Sequence, residues 1–392
     1  MNEVYIVSIA RTPIGSFGGS LASVSAINLA AIAVKKTLEK VNVDSKMVDE
    51  FMLGNVISAG LGQAPARQVA IAAGLEFRTP CTTINKVCAS GMKSIMLGAE
   101  SIMLGINDVV IAAGAESMSN IPYYLFNARF GYKLGNGEIM DGISHDGLTD
   151  PINHSSMGSC ADNTAKVMGI SRQEQDSYAI SSYKRTELAW KSKQFANEIV
   201  PVVITDKKGT SITISEDEEY KKVQFEKIPN LKPVFSKDGT ATAANSSTLN
   251  DGAAAVLLMS GKKLKELGVK PLVKIRGFAD ASQEPIWFTT SPALAIPKAM
   301  AMAGIEIKDV NYYEINEAFA TVAIANIQKL GLDFDRVNIN GGAIAIGHPL
   351  GMSGTRITLA LANILEQKNQ SIGVAGICNG GGGASAIVLE KV

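Results

Sequence analysis

The sequence carries no excess charge of either sign and no long apolar segment. Lys and Arg number 37, and so do Asp and Glu, so the 392-residue chain has a formal net charge of zero. Such a chain has no overall field to attract nucleic acid or an anionic membrane, although a local patch could bind a phosphorylated small molecule. Apolar runs such as Val109–Ala113 are far shorter than the roughly 18 residues that cross a bilayer. We therefore expect neither a nucleic-acid partner nor a membrane span.

Cysteine is also scarce. The four cysteines, at positions 81, 88, 160 and 378, lack the short spacing of metal ligands and are too few for a disulfide framework. The residues Met1–Val7 read directly as a strand and lack the basic start and apolar core of a secretory signal. The expected location is the cytoplasm.

Two periodicities alternate along the chain. Short apolar runs predict strands, and apolar residues at three- and four-residue spacing predict helices. The expected strands are 4–9, 52–57, 82–85, 109–114, 253–259, 273–277, 312–315, 337–339, 373–377 and 384–389. The expected helices are 26–38, 89–104, 171–193, 292–303, 318–330 and one after Ser353. This alternation is typical of an α/β fold with a mostly parallel sheet covered by helices.

The alternation is interrupted between Ser119 and Leu249, where Gly, Asn, Ser, Tyr and charged residues are frequent. One strong helix is predicted there, opened by the capping pattern Ser171–Glu174. A chain of this length is sufficient for two or three globular units. We interpret the middle segment as an insertion that lies over the core, flanked by two similar α/β halves.

The segment Asn85–Gly91 places a thiol, Cys88, where a strand turns into a helix. A helix N-terminus carries partial positive charge and free N–H groups, which would lower the pKa of the thiol and hold an oxyanion. Small residues at positions 89 to 91 would let a carbonyl group approach. The alternative interpretation is that Cys88 is a small buried hydrophobic residue.

The segment Asn340–Gly351 surrounds His348 with glycines, which indicates an irregular backbone that closely approaches another group. Ser353 would cap the helix that follows. A lone histidine is often structural, but this glycine-rich setting favours a catalytic base.

Cys378 and Asn379 precede four consecutive glycines at the end of a predicted strand. A plain hairpin turn would explain the glycines. A thiol beside them suggests instead a second acid/base, with glycine N–H groups facing developing charge. Asn316 lies at another strand-to-helix junction, where it would cap the helix or orient a water molecule.

Two thiols and one imidazole at separate loop ends allow several interpretations. A zinc site would need ligands at short spacing, and a redox dithiol would need a Cys-x-x-Cys pair; the sequence has neither. One thiol as nucleophile, the other as proton carrier and a shared histidine suit acyl transfer combined with carbon–carbon bond chemistry.

These segments resemble the signature blocks of the thiolase family. The blocks are Asn85–Gly91, Asn316–Phe319, Gly347–Gly351 and Cys378–Gly382, with further similarity at Ala10–Pro13, Gly114–Ser119 and Asn250–Ala254. The resemblance covers essentially the whole chain in order. The middle region, including Asp217–Tyr220 and Thr242–Asn245, is most similar to the short-chain, mitochondrial type.

The resemblance implies a five-layered αβαβα fold built from two halves related by a pseudo-twofold axis, with an inserted loop domain. The N-terminal half would comprise residues 1–118 plus about 250–271, and the C-terminal half residues 272–392. The loop domain, residues 119–249, would serve CoA binding and assembly. A homotetramer, as a dimer of dimers, is implied as well, with residues 125–137 as the candidate assembly loop.

The resemblance also implies a reaction and its catalytic residues. Two acetyl-CoA molecules would condense reversibly to acetoacetyl-CoA and CoA through an acetyl group on Cys88. His348 would activate Cys88, and Cys378 would move the Cα proton. One oxyanion hole would use the N–H groups of Cys88 and Gly380, and the other would use His348 and a water molecule held by Asn316.

No cofactor is expected beyond coenzyme A as co-substrate, but the resemblance implies two further sets of contacts. The expected CoA-binding residues are Leu148, Met157, Lys222, Phe235, Ala243, Ser247, Ala318 and Phe319. A potassium ion, which activates the mitochondrial type, would lie near Tyr183 and the carbonyl groups of Ala243, Ala244, Ser246 and Ile344. Lys222 stands near where relatives place an arginine against the adenine.

The sequence departs from the family pattern at two places. Ser156 stands where a histidine usually precedes Met-Gly, so His154 is not assigned to the site. The pair Phe288-Thr289 replaces a Phe-Pro pair that the family associates with 2-methyl-branched substrates, which puts such substrates in doubt.

Three alternatives to the condensing enzyme remain. A degradative thiolase would cleave longer 3-ketoacyl-CoA, but the bulky Trp287-Phe288 near the acyl end argues against it. A ketoacyl synthase would not need Cys378. A non-catalytic CoA- or lipid-binding member would have lost Cys88, His348 or Cys378, and all three are present.

Overall fold

The first part of the chain alternates strands and helices. The protein is described by a computed structural model that covers residues 1–206 and 208–392. The strands here are β1 (Val4–Arg11), β2 (Gly15–Ser16), β3 (Glu50–Gly54), β4 (Cys81–Ile84) and β5 (Val109–Ser117), and the helices are α1 (Ala26–Val41), α2 (Pro65–Ala72) and α3 (Ser90–Met103). The Ser25 side chain caps α1 by accepting the N–H of Asn28, and Asn42 ends that helix in the left-handed conformation.

Among its described residues, the middle part contains two α-helices and two small antiparallel strand pairs. The elements are β6 (Tyr123–Tyr124), β7 (Met140–Asp141), α4 (Met157–Met168), α5 (Arg172–Lys191), β8 (Val202–Thr205) and β9 (Ser211–Ile214). The predicted capping box is confirmed at α5, where Ser171 and Glu174 bond each other's backbone N–H. Helix α4 was not predicted, because its buried side is made of small and polar residues such as Gly158, Cys160 and Thr164 instead of a regular apolar stripe.

The last part returns to longer strands and helices. Its elements are β10 (Asn250–Ser260), α6 (Gly261–Leu267), β11 (Val273–Ser282), α7 (Pro292–Ala303), β12 (Tyr312–Ile315), α8 (Ala320–Leu330), α9 (Ala343–Ile346), α10 (Leu350–Lys368), β13 (Ile372–Asn379) and β14 (Gly383–Lys391). The prediction of a strand at 337–339 is wrong, since only Val337 forms a bridge there, to Tyr313. Ser353 does not cap α10 either: Pro349 precedes the helix, and Ser353 lies in its first turn.

Within the described residues, ten strands form one hydrogen-bonded sheet. Nine follow the order β12-β13-β14-β11-β1-β10-β5-β3-β4, and β2 pairs with β10. The two halves join where Tyr5 and Ile6 of β1 pair with Lys274 and Val273 of β11. The expectation of a mostly parallel sheet is wrong. Only the pairs β3/β4, β3/β5 and β12/β13 are parallel in the described structure, because β10 returns antiparallel after the long insertion and β13/β14 is a hairpin.

Apolar side chains on both faces of the sheet create the layers. In β10, Ala254, Val256 and Leu258 face a central core with α3 and α10, whereas Ala253 and Leu257 face an outer core with α1 and α2. A third core packs α7 against β13 and β14. The central core takes residues from both halves, so α3 and α10 form the middle layer of an αβαβα arrangement. This layer brings the loops at the N-terminal ends of α3 and α10 together.

Candidate active site

Cys88 lies in a tight loop between β4 and α3. The residue before it, Val87, has φ +48°, a left-handed conformation that is strained for a β-branched side chain. Ser90 holds the loop by donating to the Val87 carbonyl (2.6 Å) and accepting from the Lys86 N–H (2.8 Å). The loop is therefore held in a conformation that its own residues do not favour, and such conformations cluster at functional sites.

The loop that carries Cys88 is also fastened to the C-terminal half. The Lys86 ammonium donates to Asp280 Oδ1 in β11 (2.5 Å) and to Ser385 Oγ in β14 (2.7 Å). Lys93 of α3 reaches the same carboxylate at 3.0 Å. These contacts fix the position of Cys88 relative to the β13–β14 hairpin.

The thiol of Cys88 is buried and protonated at rest. Burial raises its pKa to about 11, and the Glu116 carboxylate acts in the same direction. The N–H groups of Gly380 and of Cys88 itself lower the pKa but do not compensate. The expectation of a lowered pKa is therefore wrong, because desolvation outweighs the effect of these N–H groups. Helix α3 itself begins only at Ser90.

His348 is held at its backbone N–H and at Nδ1. Its backbone N–H donates to Asn250 Oδ1 (2.8 Å), and its Nδ1 lies 2.5 Å from Ser353 Oγ. When the Ser353 hydroxyl donates its proton to the Pro349 carbonyl (2.9 Å), Nδ1 donates to Ser353 Oγ and Nε2 is the bare nitrogen that faces Asn316. Burial lowers the pKa of His348 to about 3, with a smaller contribution from the positive charge of Arg356. The resting imidazole is therefore a neutral base.

Cys378 lies near the C-terminal end of β13, just before the glycines. It pairs with Ala384 across the β13–β14 hairpin, whose turn needs positive φ at Gly381 and Gly382. The predicted hairpin and the predicted site therefore coincide. Burial raises the pKa of Cys378 well above the usual thiol value, and the nearby Cys88 raises it further. The charge of a Cys88 thiolate would therefore oppose ionisation of Cys378.

Asn316 lies between His348 and the buried Arg356. Its Nδ2 lies 3.5 Å from His348 Nε2, and its Oδ1 accepts a hydrogen bond from Arg356 Nη2 (3.1 Å). The suggestion that it caps a helix is wrong, because Phe319 precedes α8. Its amide is held beside the imidazole instead.

Glu116 is a buried residue that the sequence analysis did not single out, although it lies in a segment that resembles the family. Its carboxylate accepts hydrogen bonds from Asn55 Nδ2 (3.0 Å) and from the N–H groups of Val56 (3.0 Å), Ile57 (3.2 Å) and Gly351 (2.9 Å). Burial raises its pKa to about 7 despite these donors. Glu116 thus ties the N-terminal end of α10 to the loop after β3. The sequence feature that could have identified Glu116 is an acidic residue at the end of the apolar strand β5.

One cavity of about 620 Å³ opens onto these groups. Cys88 and His348 are part of its wall. The wall also contains every residue predicted to bind CoA: Leu148, Met157, Lys222, Phe235, Ala243, Ser247, Ala318 and Phe319. Cys378 is completely buried and packs against Met157, Ala318 and Phe319 of that wall. The mainly apolar lining suits an extended thioester chain that leads to the thiol.

Two wall residues have partners that refine their predicted roles. Ser247 Oγ donates to the Ala318 carbonyl (2.9 Å), so it remains free to accept from an amide N–H but not to donate. Lys222 is half-exposed, forms an ion pair with Glu218 (2.9 Å) and contacts Ser16 Oγ. Met118, Leu249, Phe288 and Leu350 also line the cavity and were not predicted to do so as CoA-binding residues.

The residues predicted to bind potassium lie in two groups. Ala243 and Ser246 line the cavity, and Ala244 is buried. Tyr183 packs with Ile344 in a separate buried cluster. The buried Ser246 hydroxyl has no hydrogen-bond partner among the described residues, which fits a nearby cation. Potassium binding stays a prediction.

Two features are absent from residues 1–206 and 208–392. No group of three or more His, Cys, Asp or Glu side chains in this part of the chain could hold a metal ion. No helix described there is both long enough and apolar enough to cross a membrane.

Comparison with known proteins identifies the family. The model of the thiolase N-terminal domain matches residues 4–262, and that of the thiolase C-terminal domain matches residues 269–391. The chain belongs to the thiolase family. The family models thus divide this thiolase between residues 262 and 269, while the finer predicted division into three regions stays a prediction.

Curated relatives of this thiolase match over its full length. It is 56% identical over 391 residues to the acetyl-CoA acetyltransferase of Schizosaccharomyces pombe, covering 100% of this chain and 99% of that protein. It is 53% identical over 393 residues to the mitochondrial acetyl-CoA acetyltransferase of Bos taurus, covering 100% and 92% respectively.

Solved structures confirm the predicted thiolase fold. The Acat5 thiolase from Ascaris suum in complex with coenzyme A superposes with a TM-score of 0.94 at 45% identity. The acetyl-CoA acetyltransferase from Syntrophomonas wolfei superposes with a TM-score of 0.97 at 40% identity. Each comparison covers 100% of both chains.

Proposed function

We propose that this thiolase is an acetyl-CoA acetyltransferase, which reversibly converts two acetyl-CoA to acetoacetyl-CoA and CoA. The observation that carries the proposal is the single cavity whose wall combines Cys88, His348 and all eight predicted CoA contacts. The relatives that bear this name match the whole chain at more than half identity.

The resting protonation states suit the cleavage direction. His348 Nε2 takes the Cys88 proton while Cys88 Sγ attacks the 3-keto carbon of acetoacetyl-CoA. The bond between C2 and C3 then breaks, and C2 of the leaving enolate takes the Cys378 proton, which releases acetyl-CoA and leaves acetyl-Cys88. The raised pKa of Cys378 keeps its thiol protonated as the acid for this step. The raised pKa of Cys88 means that its proton has to be taken by His348 during the attack.

The second half-reaction returns the enzyme to its initial state. The thiol of CoA gives its proton to the Cys378 thiolate, and its sulfur attacks the acetyl carbon on Cys88. The Cys88 sulfur leaves as a thiolate and recovers its proton from His348. Condensation is the same sequence in reverse, and a thiol is suited to both directions because a thiolate is a good nucleophile and a good leaving group.

Two sites can stabilise the oxyanions in these steps. The N–H groups of Cys88 and Gly380 lie beside the Cys88 sulfur, as their effect on its pKa requires. Asn316 Nδ2 and His348 Nε2 lie 3.5 Å apart and form the second site, with a bound water molecule completing it. One such donor lowers the activation barrier by roughly 3–4 kcal/mol.

The deciding experiment is acetoacetyl-CoA thiolysis by wild type and Cys88→Ala, followed by a series of longer 3-ketoacyl-CoA substrates. We expect CoA-dependent turnover of the four-carbon substrate, its loss in the variant, and a decline with chain length. Preference for longer chains would favour the degradative alternative. Phe288, which is buried at the cavity wall, argues for short acyl groups.

We also propose a homotetramer in which residues 125–137 make the assembly contact. Leu125, Phe126, Phe130 and Leu134 of this segment are exposed in the single chain. Exposed apolar side chains of this number mark interaction surfaces. Sedimentation of wild type and Phe130→Asp should give a tetramer and a smaller species, respectively.

Potassium activation and a cytoplasmic location complete the proposal. The unpartnered Ser246 hydroxyl supports the ion site within the described residues. Thiolysis with and without KCl, for wild type and Tyr183→Phe, tests it. Cell fractionation tests the location, since several relatives are named as mitochondrial proteins.

A further inference from the structure

A buried arginine lies behind the predicted oxyanion site. Arg356 belongs to α10, in the middle layer of the fold, and is 2% exposed. Its Nη2 donates to Asn316 Oδ1 (3.1 Å), and its Nη1 lies 3.5 Å from the buried Glu314 carboxylate. Its Nε has no hydrogen-bond partner among the described residues. A buried guanidinium with an unsatisfied donor costs stability, so its presence needs an explanation other than packing.

The chemistry of the two side chains determines the orientation of the amide. A guanidinium has donors and no acceptor, whereas an amide has one acceptor atom and one donor atom. Asn316 can therefore face Arg356 only with Oδ1. The amide Nδ2 must then point to the other side, where it lies 3.5 Å from His348 Nε2. In a flipped amide, the Asn316 Nδ2 donor would face the Arg356 Nη2 donor, and the acceptor Oδ1 would face the site.

We infer that Arg356 is a positioning residue, which holds Asn316 with its N–H groups directed at the oxyanion of the carbon–carbon bond step. This inference rests on the proposed function. Once His348 has taken a proton, its Nε2–H and the Asn316 Nδ2–H are two adjacent donors that can serve one oxygen. The other oxyanion site uses backbone N–H groups of Cys88 and Gly380, which Arg356 does not touch. Arg356 should therefore matter for condensation and cleavage but little for acetyl transfer to Cys88.

The two half-reactions can be measured separately. Acetyl exchange between acetyl-CoA and 3′-dephospho-CoA passes through acetyl-Cys88 without breaking a carbon–carbon bond, whereas thiolysis of acetoacetyl-CoA requires the carbon–carbon step as well. In Arg356→Lys the positive charge stays, but the planar fork that reaches Asn316 is lost. We expect thiolysis to fall about 10²-fold, the scale of one lost oxyanion donor, while acetyl exchange stays within about threefold of wild type.

A second variant guards against misfolding. Glu314→Gln combined with Arg356→Met replaces the buried ion pair by neutral groups, an exchange that proteins often tolerate well. The same separation of the two rates is expected. The matched control is Glu314→Gln alone, which removes the ion pair and keeps the hydrogen bond to Asn316. It should leave both rates within about threefold of wild type.

The decisive readout is dependence on Asn316. If Arg356 acts through that amide, Arg356→Lys should change thiolysis less than about twofold in an Asn316→Ala background. Normal thiolysis in both Arg356 variants would overturn the inference, and so would an equal loss of thiolysis and acetyl exchange. It would also be overturned if the losses of thiolysis caused by Arg356→Lys and by Asn316→Ala multiplied in the double variant. A wild type that exchanges acetyl groups but never cleaves acetoacetyl-CoA would instead refute the proposed function.

Discussion

The two thiols of the site differ in how the backbone holds them. Cys88 lies in a loop between a strand and a helix, borders the cavity and follows a residue in a strained left-handed conformation. Cys378 lies inside a strand, is completely buried and is paired across a hairpin. The first thiol faces the cavity, and the second is fixed within the sheet.

This difference matches the two kinds of chemistry that the site requires. A nucleophile must contact the substrate and accommodate trigonal and tetrahedral carbon, so access matters most. A proton carrier needs only a fixed distance to one carbon atom, since proton transfer is steeply sensitive to geometry. A ladder position in a sheet provides that constancy better than a loop does.

The largest expected effect is that of removing the nucleophile. Cys88→Ser should lower thiolysis and acetyl exchange together by at least about 10⁴-fold, because both need the acyl-enzyme. Steady-state rates of the two reactions give the comparison. Near-normal acetyl exchange in this variant would show that another residue carries the acetyl group.

Cys378→Ser should separate the two reactions. Acetyl exchange should fall less than thiolysis, because CoA can leave and attack as a thiolate without residue 378, whereas the enolate carbon needs an acid. Thiolysis should fall about 10²- to 10⁴-fold, the usual contribution of an acid/base group. Acetylation of Cys88 can be followed by the mass of the intact protein. An equal loss in both reactions would contradict the assignment of the enolate proton to Cys378.

The thiols should also differ in reactivity with iodoacetamide. Because the pKa of Cys88 is about 11, its alkylation rate should rise about tenfold per pH unit from pH 6.5 to 9.5 without a plateau. Cys378, which is buried behind the wall, should react far more slowly; peptide mapping distinguishes the two. A plateau near neutral pH would indicate a resting thiolate, contrary to the buried, neutral thiol described above.

The smallest effect concerns the hairpin that fixes Cys378. A Cβ at Gly382 would lie 2.1 Å from the Gln283 carbonyl oxygen, whereas a Cβ at Gly381 would meet no described atom within 4 Å. Both glycines have positive φ, so Gly381→Ala costs only backbone strain, about 1–2 kcal/mol. Gly382→Ala should lower the melting temperature further. Equal melting temperatures would mean that the turn adjusts freely.

Much of the fold and the identity of the chemical groups could be predicted from the sequence. Helix α7 and strand β12 have the predicted bounds, because apolar spacing and flanking turn residues determine both locally. The segments around Cys88, His348 and Cys378 were distinguished by glycines that a core does not need. The structure places Cys88 and His348 at one cavity and Cys378 directly behind its wall.

What could not be predicted depends on contacts between distant residues. Strand direction in the sheet depends on which strands become neighbours, so the parallel arrangement was wrong. The pKa of Cys88 depends on burial by both halves, which no local pattern reports. Glu116 and Arg356 act through partners such as Gly351 and Asn316, which are remote in sequence.

The position of β10 has a consequence for synthesis on the ribosome. This strand lies between β1 and β5, and its Asp251 bonds Ser117, 134 positions earlier. Because synthesis proceeds at about 5–20 residues per second, β5 is made roughly 7–27 s before its neighbour β10. During that time β1 and β5 present unpaired edges, which invite pairing with other chains. The nascent chain is thus most exposed to aggregation just before residue 260, and chaperone demand should be greatest there.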